Sequence, residues 1–428
     1  MQPTRARFTV LRYTLALAVI TYLDRVAISS AAPAIRNELG LSLIQMGWVF
    51  SVFTFAYAAF EIPSGWLGDV TGPRRVLTRI VLWWSAFTML TGAVWNFISL
   101  LVVRFLFGVG EAGAFPNISK SFSNWFPVAE RGNAHGVIFM GTRLGGALAP
   151  PLIVVLMRAV GWRAAFVVFG IIGVLWCLFW SRWFKDDPAT HPSVNAEELD
   201  LIVRGLPPRA ALPRVGWRHL LSGNVILLCL MYFTMPYTLY FNLTWLPTYL
   251  KEVRGFTVEE AGYVAGAVLF AGACANWIGG RLTDSLTRRY GVRIGRSLGA
   301  VTLPLSGVVL LAAALVENRL AAAALFALTL FIADLCVSAC WAMCHDIGGP
   351  RAGTVGGAMN TVGNIGGAIS PLVVGYTVQW WQSWTLPFVI TAGVYVMGGI
   401  FTLLVDPRKP LWPQPAETVS GRALGAEA

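Results

Sequence analysis

Seven ionisable side chains interrupt otherwise apolar runs of this chain: Asp24, Arg25, Glu61, Arg104, Glu111, Arg143 and Asp334. An unpaired charge at the centre of a hydrocarbon layer costs at least about 2.5–3.5 kcal/mol. Seven would cost about 20 kcal/mol, more than the net stability of a typical fold. These groups must therefore meet one another or line a watery cavity, and function is the default expectation for them. Arg104 and Glu111 lie seven residues apart, which places them on one helix face about 10.5 Å apart along the axis. The planar fork of an arginine suits a carboxylate, and the proton affinity of a buried carboxyl group depends on the cations beside it. An anion arriving at Arg104 would change what Glu111 holds, which is the chemistry of coupling an anion to a proton. A fixed ion-pair network with Asp24 and Arg25 is the structural alternative.

Such charges need a scaffold, and the composition says which kind. Of 428 residues, 56% are hydrophobic and 12% are charged, with a mean hydropathy of +0.64. A soluble domain carries about 25% charged residues, so the outside of this molecule must face lipid. That excludes an ordinary soluble enzyme, a secreted disulfide scaffold and a disordered chain. Apolar runs fall near residues 11–33, 44–66, 76–95, 97–119, 135–159 and 163–183. Six more lie near 224–250, 258–282, 297–316, 319–344, 353–379 and 383–405. The first run lacks a cleavage site and should remain as a signal-anchor. Between the two sets, Pro188, Pro192, Pro207, Pro208 and Pro213 mark a polar linker. The expected organisation is thus an N-terminal bundle over 1–184, a cytoplasmic linker over 185–222, a C-terminal bundle over 223–406 and a tail over 407–428.

The net charge of +11 sets topology. With both termini inside, cytoplasmic segments hold 23 basic residues and the opposite side 6, the bias of a cytoplasmic-membrane protein with both termini in the cytoplasm. No nucleic-acid partner is then needed to explain the charge. Cys336, Cys340 and Cys344 recur every four residues beside His345. Along one helix they would spread over about 12 Å, too far for one tetrahedral ion, so no metal or cofactor is expected.

The chain repeats itself. Gly65-Trp66-Leu67-Gly68-Asp69, before Arg74 and Arg75, recurs as Gly280-Arg281-Leu282-Thr283-Asp284, before Arg288 and Arg289. Gly145-Gly146-Ala147 with Pro150 matches Gly366-Gly367-Ala368 with Pro371. Repeated halves that meet at a central midplane cavity are a transporter architecture. With these motifs the chain resembles the major facilitator superfamily. Tyr22-Leu23-Asp24-Arg25, and the run from Arg104 through Gly108, Gly110 and Glu111 to Pro116, resemble its anion:cation symporter family. One departure is that the first signature loop has Val70 and Pro73 where a basic residue is common.

The resemblance implies an all-α integral membrane protein of 12 transmembrane helices in two pseudo-symmetric six-helix bundles. It implies no enzyme but a proton-coupled symporter, with the proton as coupling ion. The substrate would be a small organic carboxylate, foremost a sugar acid such as an aldonate, aldarate or hexuronate. Aromatic or dicarboxylate anions of the phthalate or tartrate type are the alternative, and drug or metabolite export a more distant one. Such a protein sits in the bacterial inner membrane, in contact with lipid and as a monomer. Asp24 and Glu111 are the expected proton sites, and Arg25 and Arg104 the anion-facing cations. Arg143 is a third cation whose counterpart in the repeat is Asn364. Tyr57, Tyr237, Tyr240, Asn242, Trp341 and Asn360 are candidate partners for a polyhydroxylated ligand. Glu61 reads as gating or structural, and Asp334 as a proton, gate or packing residue. Gly65, Asp69, Arg74, Arg75, Arg131, Gly280, Asp284 and Arg288 are the expected gate.

Overall fold

A computed structural model describes residues 2–203, 221–348 and 352–411. Its helices are α1 (Ala6–Leu39), α2 (Leu43–Thr71), α3 (Pro73–Thr91), α4 (Phe97–Glu111), α5 (Ala114–Trp125), α6 (Val128–Trp183), α7 (Ala196–Val203) and α8 (Gly223–Thr244). They continue as α9 (Leu246–Glu252), α10 (Val258–Tyr290), α11 (Val292–Arg296), α12 (Gly299–Leu315), α13 (Arg319–Asp334), α14 (Val337–Gly348), α15 (Ala352–Trp381) and α16 (Thr385–Leu404).

Local signals set many of these boundaries. Gly40, at φ 64°, ends α1 in the left-handed region that glycine enters without steric cost. Ser42 and Gln45 cap α2 reciprocally, as Asn96 and Ser99 cap α4 and Thr257 and Glu260 cap α10. Among the described residues nine helical stretches are long and apolar enough to cross a membrane. One of them, Ala134–Trp183, is two of the expected runs turned back at Gly161, whose φ is 78°. The glycine-rich α15 and α3, which carries Arg74, Arg75 and Arg79, fall outside that set. All twelve expected runs coincide with helix, but three are broken, that over 224–250 at Trp245 between α8 and α9. The run over 97–119 stops at Glu111 and resumes at Ala114, and the run over 319–344 stops at Asp334 and resumes at Val337.

The helices pack in two groups. In the first, α1 lies on α6, α3 on α4 and α6, and α2 on α4; in the second, α8 lies on α15, α12 on α16 and α10 on α13. Glycine allows the closest approaches, as membrane helices require. A Cβ on Gly145 would stand inside the van der Waals radius of the Val19 carbonyl oxygen, and one on Gly366 would meet that of Phe233. Large apolar side chains such as Trp95, Val301 and Leu315 face outward, where lipid replaces water.

The groups meet mainly through α2 with α15 and α6 with α10. These seams are tight at the end remote from the chain termini. Gln379 accepts from the Ile44 amide at 3.0 Å and Arg158 pairs with Glu259 at 2.7 Å, while beside them Arg36 of α1 pairs with Glu252 of α9 at 2.7 Å. A Cβ on Gly47 would approach the Pro371 carbonyl oxygen to 2.8 Å, and one on Gly266 that of Ala147 to 2.6 Å.

The linker expected over 185–222 differs from a free tether as far as residue 203. Trp125 donates to the Lys185 carbonyl at 2.9 Å, the Arg74 amide donates to Asp186 at 2.8 Å, and His191 sits against the Trp183 and Trp125 rings. The carboxylate of Glu198 on α7 accepts from Thr4 Oγ1 at 2.6 Å, the Ala6 amide at 2.9 Å and the Arg7 amide at 3.1 Å. A distant helix thus caps the start of α1. Residues 204–220 and the tail beyond 411 lie outside the described residues.

Candidate substrate and proton site

Midway along α1, Asp24 and Arg25 follow one another in sequence and so diverge around the helix. Arg25 Nε donates to Glu111 Oε1, joining α1 to the end of α4. Its guanidinium carbon lies 4.5 Å from the Tyr57 ring centre, 5.2 Å from Tyr22 and 5.3 Å from Phe53. Arg104 lies 4.9 Å from Phe53 and 4.7 Å from Phe107. The aromatic faces stabilise cations that have left water. Tyr22, Phe53 and Phe107 belong to the site although charge and hydroxyl patterning did not single them out. Their signal was helical spacing, with Phe53 four residues before Tyr57 and Phe107 three after Arg104.

The cage is dry and only partly neutralised. Asp24, Arg104 and Glu111 are 2%, 3% and 0% exposed. Among the described residues both Asp24 carboxylate oxygens, Glu111 Oε2, Arg25 Nη2 and Arg104 Nε have no hydrogen-bond partner. Arg104 forms no ion pair among them, although Glu111, which pairs with Arg25, and Asp24 both lie within electrostatic reach of it. Orphaned buried polar atoms of both signs cost free energy, and an incoming carboxylate would satisfy the cationic ones.

Other expected ligand residues divide. Tyr240 of α8 is near enough to Arg25 and Arg104 to interact with their charges. Asn360 of α15 donates to Glu61 of α2 at 3.3 and 3.4 Å, a contact between the two groups of helices. Asn364 is buried one turn further along. Asn242 instead donates to the Thr238 carbonyl of its own helix at 3.3 Å. Tyr237 is buried and stacks on Phe233 at 6.3 Å. Trp341 packs edge-on against Tyr232 at 5.8 Å and meets Phe139 at 6.0 Å.

Arg143 pairs neither with Glu61 nor with Glu111 but with Asp334, at 3.1 Å between α6 and α13. Asp334 Oδ2 also accepts from Asn276 of α10 at 3.0 Å, a partner not expected from the sequence. Cys336 lies in the break after Asp334, so the three cysteines do not share one helix. Cys340 and Cys344 contact the sulfurs of Met235 and Met359 at 3.4 and 3.2 Å. Among the described residues no group of three metal-binding side chains occurs.

At the expected gate, Gly65 packs against Pro116 and Gly280 faces Ser338. Arg74 donates to the Ser181 carbonyl, and with Arg75 it lines an open groove of about 670 Å³. Asp284 and Arg288 are exposed, while Asp69 and Arg131 lie outside the described side chains.

Comparison with known proteins identifies the fold and the family. The chain is 39% identical over 412 residues to a probable sulfoacetate transporter, SauU, of Cupriavidus necator, covering 95% of each. It is 32% identical over 420 residues to a hexuronate transporter of Bacillus subtilis, covering 97% of this chain and 98% of the other. It is 30% identical over 391 residues to a D-galactonate transporter of Escherichia coli, covering 88% and 90%. Its fold is similar, at TM-score 0.79 and 20% identity over 95% and 97% of the chains, to a bacterial homolog of the human lysosomal transporter Spinster. Residues 14–371 match the Major Facilitator Superfamily, and the chain belongs to that family.

Proposed function

We propose that this protein is a proton-coupled symporter that takes up an organic anion across the bacterial inner membrane by alternating access. The observation that carries the reading is the cage around Arg25 and Arg104, where Glu111 and Asp24 both lie within electrostatic reach of Arg104 but only Arg25 and Glu111 form a direct ion pair. A substrate carboxylate docking there competes with Glu111 for Arg25 and supplies Arg104 with the partner it lacks. Glu111, once displaced, becomes the natural place for a proton, and Asp24, with both oxygens orphaned, the second. The relatives' named substrates, sulfoacetate, hexuronate and D-galactonate, support an acidic organic solute. Sugar acids remain the favoured class, with Tyr57, Tyr240, Asn360 and Asn364 as hydroxyl partners and Tyr237, Asn242 and Trp341 shaping the wall around them. The aromatic faces nearest the arginines are already covered by guanidinium, which favours a non-aromatic ligand over a phthalate type.

Two bundles, 1–184 and 223–406, rock about this site, with both termini cytoplasmic and the monomer as the working unit. The signature loops form the cytoplasmic gate, through Gly65, Asp69, Arg74, Arg75 and Arg131 in one half and Gly280, Asp284 and Arg288 in the other. Moving one charge through 100 mV is worth about 2.3 kcal/mol. Two protons with a monoanion therefore exploit the membrane potential, while one proton with a monoanion does not. The test is uptake into proteoliposomes of galactonate, glucarate, sulfoacetate and phthalate, with an acidic exterior and a set potential. Accumulation of an acid only when a proton gradient is present supports symport. Equal accumulation without one, or expulsion of organic cations instead, overturns it.

A further inference from the structure

Glu111 and Asp334 occupy the same place in the two halves. Each is the last residue of a helix that stops in mid-span, α4 and α13, and each is followed by two non-helical residues before the next helix begins. They lie 223 residues apart, close to the spacing of the repeated glycine motifs. A carboxylate at a helix C-terminus faces the negative end of the helix dipole, so the position is electrostatically unfavourable on its own. Both acids are offset by an arginine from another helix, Arg25 for Glu111 and Arg143 for Asp334. The Asp334 pair bridges the two groups of helices.

The two arrangements border one interior. The Tyr22 ring lies 5.2 Å from the Arg25 guanidinium. Tyr22 also interacts electrostatically with Tyr232, which in turn interacts with Arg143. A Cβ on Gly146, three residues after Arg143, would stand 3.6 Å from the Tyr22 ring. Around Asp334 stand Arg143 of α6, Asn276 of α10 and Tyr395 of α16, with Cys336 just beyond the break. The Arg143 side chain remains 17% exposed while that of Asp334 is 6% exposed, so the cation is the more accessible member of the pair.

We propose that Arg143 and Asp334 form a second, pseudo-symmetric anion–proton exchange site that takes the second acidic group of a dianionic substrate. This rests on the symport reading above and names the ligand class it extends to, a dicarboxylate or a carboxylate–sulfonate. One acidic group of the ligand binds at Arg25 and Arg104, and the other at Arg143. As the Arg143 N–H groups pass from Asp334 to the ligand, Asp334 loses its cation and takes a proton from the external solution. Release of the ligand inside returns Arg143 to Asp334, and that proton leaves to the cytoplasm. A monoanion leaves the Arg143–Asp334 pair closed and does not use this proton. Each dianion therefore travels with one more proton than each monoanion, and the net charge moved per molecule is the same for both.

The test compares galactonate, a monoanion, with glucarate and sulfoacetate, both dianions, in proteoliposomes, recording solute flux, proton flux and current together. The expected result is one additional proton per dianion and equal charge per molecule. The double variant Arg143→Gln, Asp334→Asn removes both charges without leaving either buried alone. Whatever its rate of galactonate transport, its protons per galactonate should match the parent's, while dianion uptake relative to galactonate uptake falls at least tenfold and the additional proton disappears. One fewer positive charge per dianion than per monoanion in the wild type overturns the proposal. So does a parent-like ratio of dianion to galactonate uptake in the double variant. Wild-type transport of galactonate with no dianion transport defeats this proposal alone. Absence of proton-coupled uptake for all three acids defeats the underlying symport reading.

Discussion

At the residue scale, the decisive feature is that Glu111 pairs with Arg25 on another helix and leaves Arg104, on its own helix, with Glu111 and Asp24 in electrostatic reach but no direct ion pair among the described residues. Breaking a buried pair from one side costs about 3–5 kcal/mol, so a substrate that replaces Glu111 must supply an equivalent partner. Glu111→Gln removes the proposed proton acceptor but keeps the shape. Gradient-driven accumulation should vanish while counterflow exchange of substrate persists; joint loss of exchange and binding would make Glu111 structural. Arg104→Lys keeps the charge and loses the fork. A charged hydrogen bond is worth about 1.5–3 kcal/mol, so apparent affinity should fall about 10- to 100-fold in a binding titration. The four charges were legible because each breaks an apolar run. Their pairing was not, because spacing within α4 says nothing about which group α1 presents. Tyr240 and Tyr237 show the same limit, since three residues on one helix separate a neighbour of the arginines from a wall residue.

At the element scale, close helix contact and distant capping hold the cage in place. Gly145→Ala would drive a Cβ into the Val19 backbone of α1. Overpacking of this kind costs about 1–3 kcal/mol and should lower the unfolding temperature in detergent, with Gly357→Ala, where nothing lies within 4 Å, as the unaffected control. The start of α1 depends on Glu198. Burial raises the proton affinity of that carboxyl, but hydrogen bonds from Thr4, the Ala6 and Arg7 amides and the Arg7 side chain together hold it below the usual glutamate range. A depressed carboxyl contributes stability that is present above its unfolded value and lost as pH falls through its folded one. Docking of α7 should therefore be constant from neutral pH to about 5 and weaken below about 4. Amide exchange in residues 6–10 measures this. Glu198→Ala should accelerate exchange there at neutral pH by an amount matching about 1–2 kcal/mol, the worth of a helix cap. No such role was visible in the linker, because a Glu within a polar stretch looks like any solvated acid.

At the scale of the whole molecule, the seam remote from the termini must part if solute is to enter there. It is held by the Arg36–Glu252 and Arg158–Glu259 pairs and by the backbone approaches at Gly47 and Gly266. Exposed ion pairs contribute little, at most about 1 kcal/mol each, so the glycine contacts should dominate the closed state. Gly47→Val wedges α2 from α15. Spin labels on Asn37→Cys and Val253→Cys should then report a longer distance population than in the parent, and an unchanged distribution would count against a closed state held by that seam.

Composition and charge alone determined that the chain lies in lipid, that it repeats as two sets of helical runs, and which seven charges are stranded within them. These follow from solvent, since too few polar residues exist to cover a soluble surface and each charge stranded in hydrocarbon must earn its place. Only the tertiary structure decided who pairs with whom. Arg25 meets Glu111, Arg143 meets Asp334, Asn360 meets Glu61, and two runs break immediately after their acids. Those outcomes depend on helix rotation and on contacts between residues far apart in the chain, and hydrophobic periodicity carries no information about either.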